Sequence, residues 1–280
     1  MTAEDIVRSF RGTVSPPVMY LRLNDAINHP DSSLAMIGRI IGEDSALSAR
    51  LLRLVNSPFY GFPQRIETIS DAVFLVGSHQ VRDLALVTTM MNSFKDIPKE
   101  LIDTQEFWLH SLACGVAAKI LGEEMGSSDL ERLFLLGVMH DIGRLVMYHV
   151  LPQKAVKMLQ RTKAEGVTML QAEKEALGFS HADIGKILTD EWRLPGSVQE
   201  VVLYHHLPGW AKVFPTETAI IHVADVLSHV TRLGSSGEPY VPMLRKESWD
   251  LIGIPRSSIV PLVERIVEET KAMAWLPVAA

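Results

Sequence analysis

Apolar side chains recur at helical spacing along most of this chain, whereas period-two alternation bounded by turns is scarce. Between Asp44 and Asn56 they follow the i, i+4, i+7, i+8 spacing that places them on one face of a helix. The segment that begins near Phe107 repeats this pattern over a longer distance. We therefore predict an all-α fold without a sheet. The defining positions are Leu47, Leu51, Leu54 and Val55 in the first segment, and Leu109, Leu112, Ala113, Val116, Ala117 and Ile120 in the second.

Several residues indicate where these helices begin and end. Asp44 has the side chain of an N-cap, and Pro58 ends the first helix because proline lacks the amide hydrogen that a helix interior needs. Ser70 is expected to open a short helix that stops at Gly77, and Ser78 is expected to open the next one.

Two further helix starts carry the spacing of a capping box, in which the N-cap side chain and the third helical residue bond reciprocally to backbone amides. One pair is Ser180 with Asp183, and the other is Ser197 with Glu200. Each pair precedes an amphipathic stretch, so both predict a helix that begins directly after the serine.

Connectors are few. The charged stretch around Pro98 separates earlier helices from later ones, and residues 234–239 combine glycine, serine and proline in the best candidate loop. After this loop, residues 247–275 have the periodicity of two more helices. We find no internal repeat of 20–50 residues and no low-complexity segment.

Composition narrows the class of protein. The 280 residues carry 27 Lys and Arg against 33 Asp and Glu, a net charge of −6, which argues against a general nucleic-acid binder. The most apolar stretch, Leu133–Met139, is too short to span a bilayer, and the N-terminus lacks the pattern of a signal peptide. The single cysteine, Cys114, cannot form an internal disulfide, so we predict a cytoplasmic protein with no membrane partner.

Histidine and aspartate side chains form the candidate chemistry. Neutral imidazoles and carboxylates together suit Zn, Mn, Fe or Ni, and the adjacent His140-Asp141 would let one carboxylate bridge two ions while its neighbour holds one. Two such ions could activate a water for in-line attack on phosphorus. We therefore predict a site for one or two divalent ions. Its candidate ligands are His110, His140, Asp141, His181, His205, His206 and Asp225.

The order of these residues resembles that of a known superfamily. His110, then His140-Asp141, then Asp225 are similar to the H…HD…D signature of the HD superfamily of metal-dependent phosphohydrolases, which implies an all-α HD-domain-like bundle. The additional histidines at 181, 205 and 206 resemble the larger ligand set of HD-GYP cyclic di-GMP phosphodiesterases. Glu106 stands where some of those enzymes place a further carboxylate ligand.

A second resemblance is more specific and covers about Ser15 to Arg232. Five segments in order resemble the HDOD (HD-related output domain) family. They read IIGEDSALSARLLRLVNSPFYG, IETISDAVFLVGSHQVRDLAL, FWLHSLACGVAAKIL, LLGVMHDIGRLVM and SHADIGKILTDEWRLPGSVQEVVLYHH. This resemblance implies a bacterial signal-transduction output or scaffolding domain at 15–232. It would have an N-terminal helical lobe at about 15–97 and an HD-like core at about 104–232, with a helical extension at 239–280.

The chain departs from the hydrolytic pattern. Arg144 stands where an HD-GYP enzyme has a lysine, Ser228 stands where those enzymes tend to have another, and no GYP motif occurs. Arginine still carries positive charge, but its planar fork differs from a point ammonium. The resemblance therefore implies retained metal ligands with fewer cations to hold a phosphodiester, which favours a protein without strong catalysis.

Alternatives remain at individual residues. The cluster could be a hydrogen-bonded polar core without metal, provided that every group is paired. Because neighbouring helical residues point about 100° apart, we expect only one of His205 and His206 to be a direct ligand. His222 and His229 share a helix face with Asp225, either orienting it or forming a partly solvated stripe.

Three functions follow from this sequence. The first is a signalling or scaffolding module that acts through contacts with other signalling proteins. The second is a metal-dependent phosphohydrolase for a nucleotide or cyclic dinucleotide, in which Asp141 bridges metals and Arg144 lies near the anionic substrate. The third is a pocket that binds a nucleotide as a signal without turning it over.

Overall fold

The structure is a computed structural model, and it describes residues 1–10, 18–94, 97–99 and 101–277. Within these ranges the chain forms helices and turns and contains no β-strand, which confirms the predicted all-α class. Two short 3-10 helices, Pro208–Trp210 and Arg256–Ser258, join longer elements. The α-helices are α1 Ala3–Phe10, α2 Val18–Ile27, α3 Leu34–Gly42, α4 Ser45–Val55, α5 Ile69–Val76, α6 Ser78–Ser93, α7 Thr104–Glu124, α8 Leu130–Met139, α9 Ile142–Val150, α10 Pro152–Glu165, α11 Met169–Leu177, α12 His181–Glu191, α13 Gly196–Tyr204, α14 Pro215–Thr231, α15 Lys246–Ile252 and α16 Ile259–Met273.

Most predicted boundaries are confirmed. Asp44 caps α4 by accepting a hydrogen bond from the Leu47 amide at 2.9 Å. Helix α5 ends at Gly77, whose φ of +101° suits glycine, and α6 begins at Ser78. The predicted start of α5 at Ser70 is wrong, because the Thr68 hydroxyl caps this helix two residues earlier.

The two predicted capping boxes have different outcomes. The box of Ser180 and Asp183 is present at the start of α12. The second box is absent, because α13 begins at Gly196 after Pro195 and therefore leaves Ser197 inside the helix. The Glu200 carboxylate instead accepts hydrogen bonds from three consecutive backbone amides, those of residues 212–214, just before α14.

The chain separates into two compact units. The first contains α1, α7 to α15 and α16 as far as Thr270, and the second contains α2 to α6 with residues 271–277. In the second unit α2 and α4 pack on α6, and α3 packs on α5. The predicted loop at 234–239 and the two later helices, α15 and α16, are confirmed. The predicted division into 15–232 and 239–280 stays a prediction.

Close backbone contacts set the positions of the helices that carry the candidate ligands. Helices α7 and α8 cross at two glycines, where a Cβ added to Gly137 would lie 2.6 Å from the Gly115 Cα. Helices α9 and α12 approach more closely, because a Cβ at Gly143 would lie 1.9 Å from the His181 carbonyl oxygen. These contacts place His181 beside the N-terminal end of α9, which begins directly after Asp141.

One helical stretch, Leu130–Val150, is long and apolar enough to cross a membrane by length and composition. It exceeds the predicted apolar run Leu133–Met139 because α8 and α9 follow each other almost without interruption. In its apolar window 89% of the residues are buried inside the structure, as in the core helices of soluble proteins. The stretch is therefore weak support for a membrane span.

Candidate metal centre

His140 and Asp141 lie between α8 and α9 and are both fully buried. The His140 Nδ1 lies 2.7 Å from the Gly137 carbonyl oxygen, so it carries the hydrogen that this acceptor needs. The other ring nitrogen, Nε2, then faces two carboxylates. It lies 3.5 Å from one carboxylate oxygen of Asp141 and 3.5 Å from one of Asp225.

A first set of ligands surrounds Asp141. His181 on α12 places Nε2 at 3.1 Å from Asp141 Oδ1, and His205 at the end of α13 places Nε2 at 3.6 Å from the same atom. The His206 Nε2 lies 3.1 Å from that of His181. We call Asp141, His181, His205 and His206 the Asp141 group; one ligand atom of each lies within 4.8 Å of the others.

A second set surrounds Asp225 on α14. His110 of α7 and His229, one turn after Asp225, place their Nε2 atoms at 3.5 and 3.4 Å from Asp225 Oδ1. We call these three residues the Asp225 group, and their ligand atoms also lie within 4.8 Å of one another. A third combination, His110 with His140 and Asp141, connects the two groups.

The unpaired atoms in this centre fit a metal. Among the described residues, His110 Nε2, His140 Nε2 and Asp225 Oδ1 are buried and find no hydrogen-bond partner. Buried polar atoms are rarely left unpaired, because each one costs about 1–3 kcal/mol. Acceptor atoms that converge without donors need a cation between them, and imidazole with carboxylate is a donor set that first-row divalent ions prefer. The clusters could therefore hold a metal.

Comparison with a family model decides the class of the protein. Residues 14–208 match the model of the HDOD domain. This chain belongs to the HDOD family. The curated protein it matches, from Treponema pallidum (strain Nichols), is uncharacterized and is 28% identical over 193 residues. That match covers 68% of this HDOD chain, which spans only 37% of the relative's length.

Solved structures agree with this assignment. An HDOD domain protein of unknown function from Geobacter sulfurreducens is 25% identical, with a TM-score of 0.75 over 95% of this chain and 97% of that one. A candidate phosphohydrolase from Shewanella amazonensis is 22% identical, with a TM-score of 0.75 over 97% of both chains. A candidate signal transduction protein from Marinobacter aquaeolei is 18% identical, with a TM-score of 0.75 over 99% of this chain and 62% of that one. The last two similarities show the fold alone.

The structure of this HDOD protein brings all seven predicted ligands into the three combinations. The sequence predicts that only one of His205 and His206 is a direct ligand. Both belong to the Asp141 group, because the C-terminal end of α13 is directed at Asp141. Glu106 is exposed and belongs to none of the combinations. Its predicted ligand position is thus not reached, since it lies on the solvent side of α7.

Glu173 on α11 is a buried residue of this centre that sequence reasoning missed. Its Oε2 accepts hydrogen bonds from the backbone amide of His181 at 2.9 Å and from the ring Nδ1 at 2.6 Å. With Nδ1 held by Glu173, the Nε2 atom of His181 is the nitrogen that faces Asp141. Burial, the largest effect, lowers the pKa of His181, but the carboxylates of Glu173 and Asp141 together outweigh it and raise this pKa.

His222 and His229, whose roles the sequence leaves open, make different contacts. His222 donates from Nδ1 to the His205 carbonyl oxygen at 2.8 Å and accepts from the Arg245 amide at 3.0 Å. It therefore holds the end of α13 in place. His229 faces Asp225 itself, and burial lowers its pKa to about 4, so its ring is neutral near pH 7. Neutral imidazole is the form that binds metals.

Arg144 lies beside Asp141 inside the centre, and its predicted position near an anionic ligand stays a prediction. Its side chain is only 1% exposed, and its Nε donates to Asp141 Oδ1 at 3.0 Å. Burial by itself raises the pKa of Asp141, but Arg144, His140 and His181 outweigh it and hold that pKa well below its usual range. Arg144 thus keeps Asp141 ionised, and its Nη1 is buried without a hydrogen-bond partner among the described residues.

Proposed function

We propose that this HDOD protein is a metal-binding signalling output or scaffolding domain without strong catalytic activity. One observation carries the proposal: the buried acceptor atoms of His110, His140 and Asp225 have no donors among the described residues. They face the same centre as the Asp141 group. A polar core without metal would need these atoms to be paired.

The chain's own residues would hold one or two ions. The Asp141 group supplies three imidazoles and a carboxylate, and the Asp225 group supplies two imidazoles and a carboxylate. A bound divalent ion supplies positive charge that joins these side chains. Because the ligands come from α7, α12, α13, α14 and the α8–α9 junction, the ion would stabilise the arrangement of these helices.

The position of Arg144 supports weak or absent catalysis. Hydrolysis of a phosphodiester needs cations that contact the phosphate and stabilise the charge of the transition state. The guanidinium of Arg144 is buried and donates to Asp141, and residue 228 is a serine whose hydroxyl donates to the Asp225 carbonyl oxygen at 2.7 Å. Both residues are buried, so we expect signalling through protein contacts.

A metal-dependent phosphohydrolase is the second candidate, and one observation favours it. Asp141 belongs both to the Asp141 group and to the combination with His110 and His140. A carboxylate shared by two ligand sets can bridge two ions, which hydrolytic centres with paired metals require. Its substrate would be a nucleotide or cyclic dinucleotide; a nucleotide bound without turnover is the remaining alternative.

Hydrolysis of a generic phosphodiester separates the two candidates. The full chain is loaded in turn with Mn, Fe, Ni and Zn and compared with Asp141→Asn, with circular dichroism to check folding. We expect no activity above that of the variant with any metal. Activity in the wild-type chain that Asp141→Asn abolishes would overturn the scaffolding proposal in favour of the phosphohydrolase.

The partners and compartment are part of the same proposal. We propose signalling proteins as partners and the cytoplasm as location, because the one cysteine, Cys114, is buried and free and the net charge of −6 disfavours nucleic acid. If the domain acts through protein contacts, Asp141→Asn should leave a partner's binding unchanged while the fold persists. Loss of that binding without unfolding would count against it.

A further inference from the structure

The second unit contains a cleft between the C-terminal end of α4 and the loop that leads to α5. Its volume is about 820 Å³, and its lining includes Arg53 and Asn56 on the α4 side and Phe62, Arg65 and Glu67 on the loop side. The candidate metal ligands all belong to the first unit. The chemistry of this cleft is therefore a separate question from that of the metal centre.

Asn56 fixes the shape of the cleft. Its side-chain amide donates to the carbonyl oxygens of Leu52 at 2.7 Å and Ile66 at 2.8 Å, and its side-chain oxygen accepts from the Ile66 amide at 2.8 Å. The Ile66 side chain is buried, and the ring of Phe62 stacks on that of Tyr60 with 6.0 Å between centroids. The loop is thus held against α4 before any ligand binds, which lowers the entropic cost of binding.

Two arginines bring unused hydrogen-bond donors to this cleft. Within the described ranges, neither Arg53 nor Arg65 forms a hydrogen bond or an ion pair. The guanidinium carbon of Arg53 lies 3.9 Å from the centroid of the Trp275 ring, and an arginine stacked in this way keeps the N–H groups at its edge for an acceptor. A guanidinium fork binds a carboxylate through two parallel hydrogen bonds. With Glu67, the described lining residues carry a net charge of +1 on a chain whose net charge is −6.

The loop at 62–67 also offers main-chain groups. Among the described residues it forms no hydrogen bond to other backbone, and Ile66 is its one residue whose main chain pairs with a side chain, that of Asn56. An extended peptide can pair with such a segment through its own main chain, while its side chains confer specificity. A small free anion would use only the arginines, so the combination of features favours a peptide.

We propose that this cleft binds an extended acidic segment of a partner protein, whose carboxylates pair with Arg53 and Arg65 while its main chain runs along residues 62–67. The inference rests on the proposed scaffolding function and deepens it by naming the chemistry of a partner. Glu67 opposes such a segment, since its charge has the same sign. Nucleic acid is disfavoured because two arginines replace few of the counterions that a phosphate backbone releases.

Fluorescence anisotropy with a labelled peptide of alternating glutamate and valine tests the cleft on the full chain, and a peptide of alternating lysine and valine is the reference. We expect the wild type to bind only the acidic peptide, more weakly as salt rises. Arg53→Gln and Arg65→Gln should each weaken binding about tenfold. Arg22→Gln is the matched control, because it removes the same charge from an arginine of this unit that pairs with Glu43. Glu67→Gln should strengthen binding about two- to fivefold.

The outcomes separate this surface from other occupants. Equal losses in Arg22→Gln and in the two cleft variants, with folding checked by circular dichroism, would reduce the effect to net charge and overturn the site. Displacement of the peptide by an equal concentration of free glutamate would assign the cleft to a small anion instead. A wild-type dimer that Arg65→Gln converts to a monomer would assign it to a second copy of this chain. No binding of the acidic peptide would refute the docking surface and leave the proposed metal centre, which metal analysis tests, unaffected.

Discussion

The Oε2 atom of Glu173 lies 2.6 Å from Nδ1 of His181, and both side chains are fully buried. A carboxylate in this position orients the imidazole and increases its strength as a metal ligand. We expect Glu173→Gln to weaken metal binding about 10- to 100-fold, measured by equilibrium titration of the stripped chain. Glu175→Gln, on the exposed side of the same helix, is the matched control and should bind metal like the wild type. Equal affinities in all three proteins would show that Glu173 does not orient His181.

Arg144 and Asp141 form a buried ion pair at 3.0 Å. Arg144→Met leaves the Asp141 carboxylate without its cation, so the free energy of unfolding of the metal-free protein should fall by about 3–5 kcal/mol. Added metal should recover part of this loss, because the ion then compensates the carboxylate. Denaturant unfolding with and without metal measures both effects.

The control for this prediction is Arg161→Met, which removes an arginine from an ion pair with Glu165 near the surface. Surface pairs contribute little to stability, so this variant should unfold close to the wild type. A loss in Arg144→Met no larger than in the control would contradict a supporting role for Arg144 at Asp141.

Gly143 permits the contact between α9 and α12. A Cβ at this position would overlap the His181 carbonyl oxygen, so Gly143→Ala should push α12 away from Asp141. We expect a loss of about 1–3 kcal/mol in stability together with weaker metal binding. Gly42→Ala is the control, because a Cβ there meets nothing within 4 Å. Metal binding that is unchanged in a folded Gly143→Ala would refute the importance of this approach.

We expect the Glu200 carboxylate to stabilise the fold in a pH-dependent way. Burial alone raises its pKa, but the amides of Lys212, Val213 and Phe214 together outweigh burial and lower it. The stabilisation is therefore complete above the unfolded pKa near 4.5 and is lost as the pH falls through the lower folded pKa. Glu200→Gln should lose about 1–3 kcal/mol at pH 7, and the difference from wild type should shrink in acid.

Urea unfolding of both proteins between pH 7 and pH 3 measures this difference, with the exposed Glu124→Gln as the control. A difference that is constant with pH would mean that the charge of Glu200 does not stabilise the loop before α14.

Periodicity and local chemistry were sufficient to predict the helical class and most helix ends. Asp44 and Gly77 act within four residues of their own positions, so their neighbours in sequence define their roles. The predicted cap at Ser197 is wrong because α13 already begins at Gly196, directly after Pro195, so the serine lies inside the helix. Glu200 was then available for an acceptor role 12 residues away, which no local pattern reveals.

The candidate ligands were recognisable from their order, but their supporting residues were not. Glu173 and Glu175 differ by two positions on one helix, and only the packing of α11 against the start of α12 makes the first a partner of His181. The burial of Arg144 likewise follows from the tertiary arrangement rather than from the His140-Asp141 motif. His229 has the spacing of a helix-face neighbour of Asp225, which indicated proximity and left its role open.

The metal content of the purified chain tests the central claim most directly. The protein is prepared without chelator and without a nickel-affinity tag, and its metals are counted before and after treatment with a chelator. The account predicts at least one equivalent of Fe, Mn, Ni or Zn per chain, and a lower unfolding temperature once it is removed. A folded chain that contains no metal, takes up none when these ions are supplied, and unfolds at the same temperature with or without chelator would contradict it.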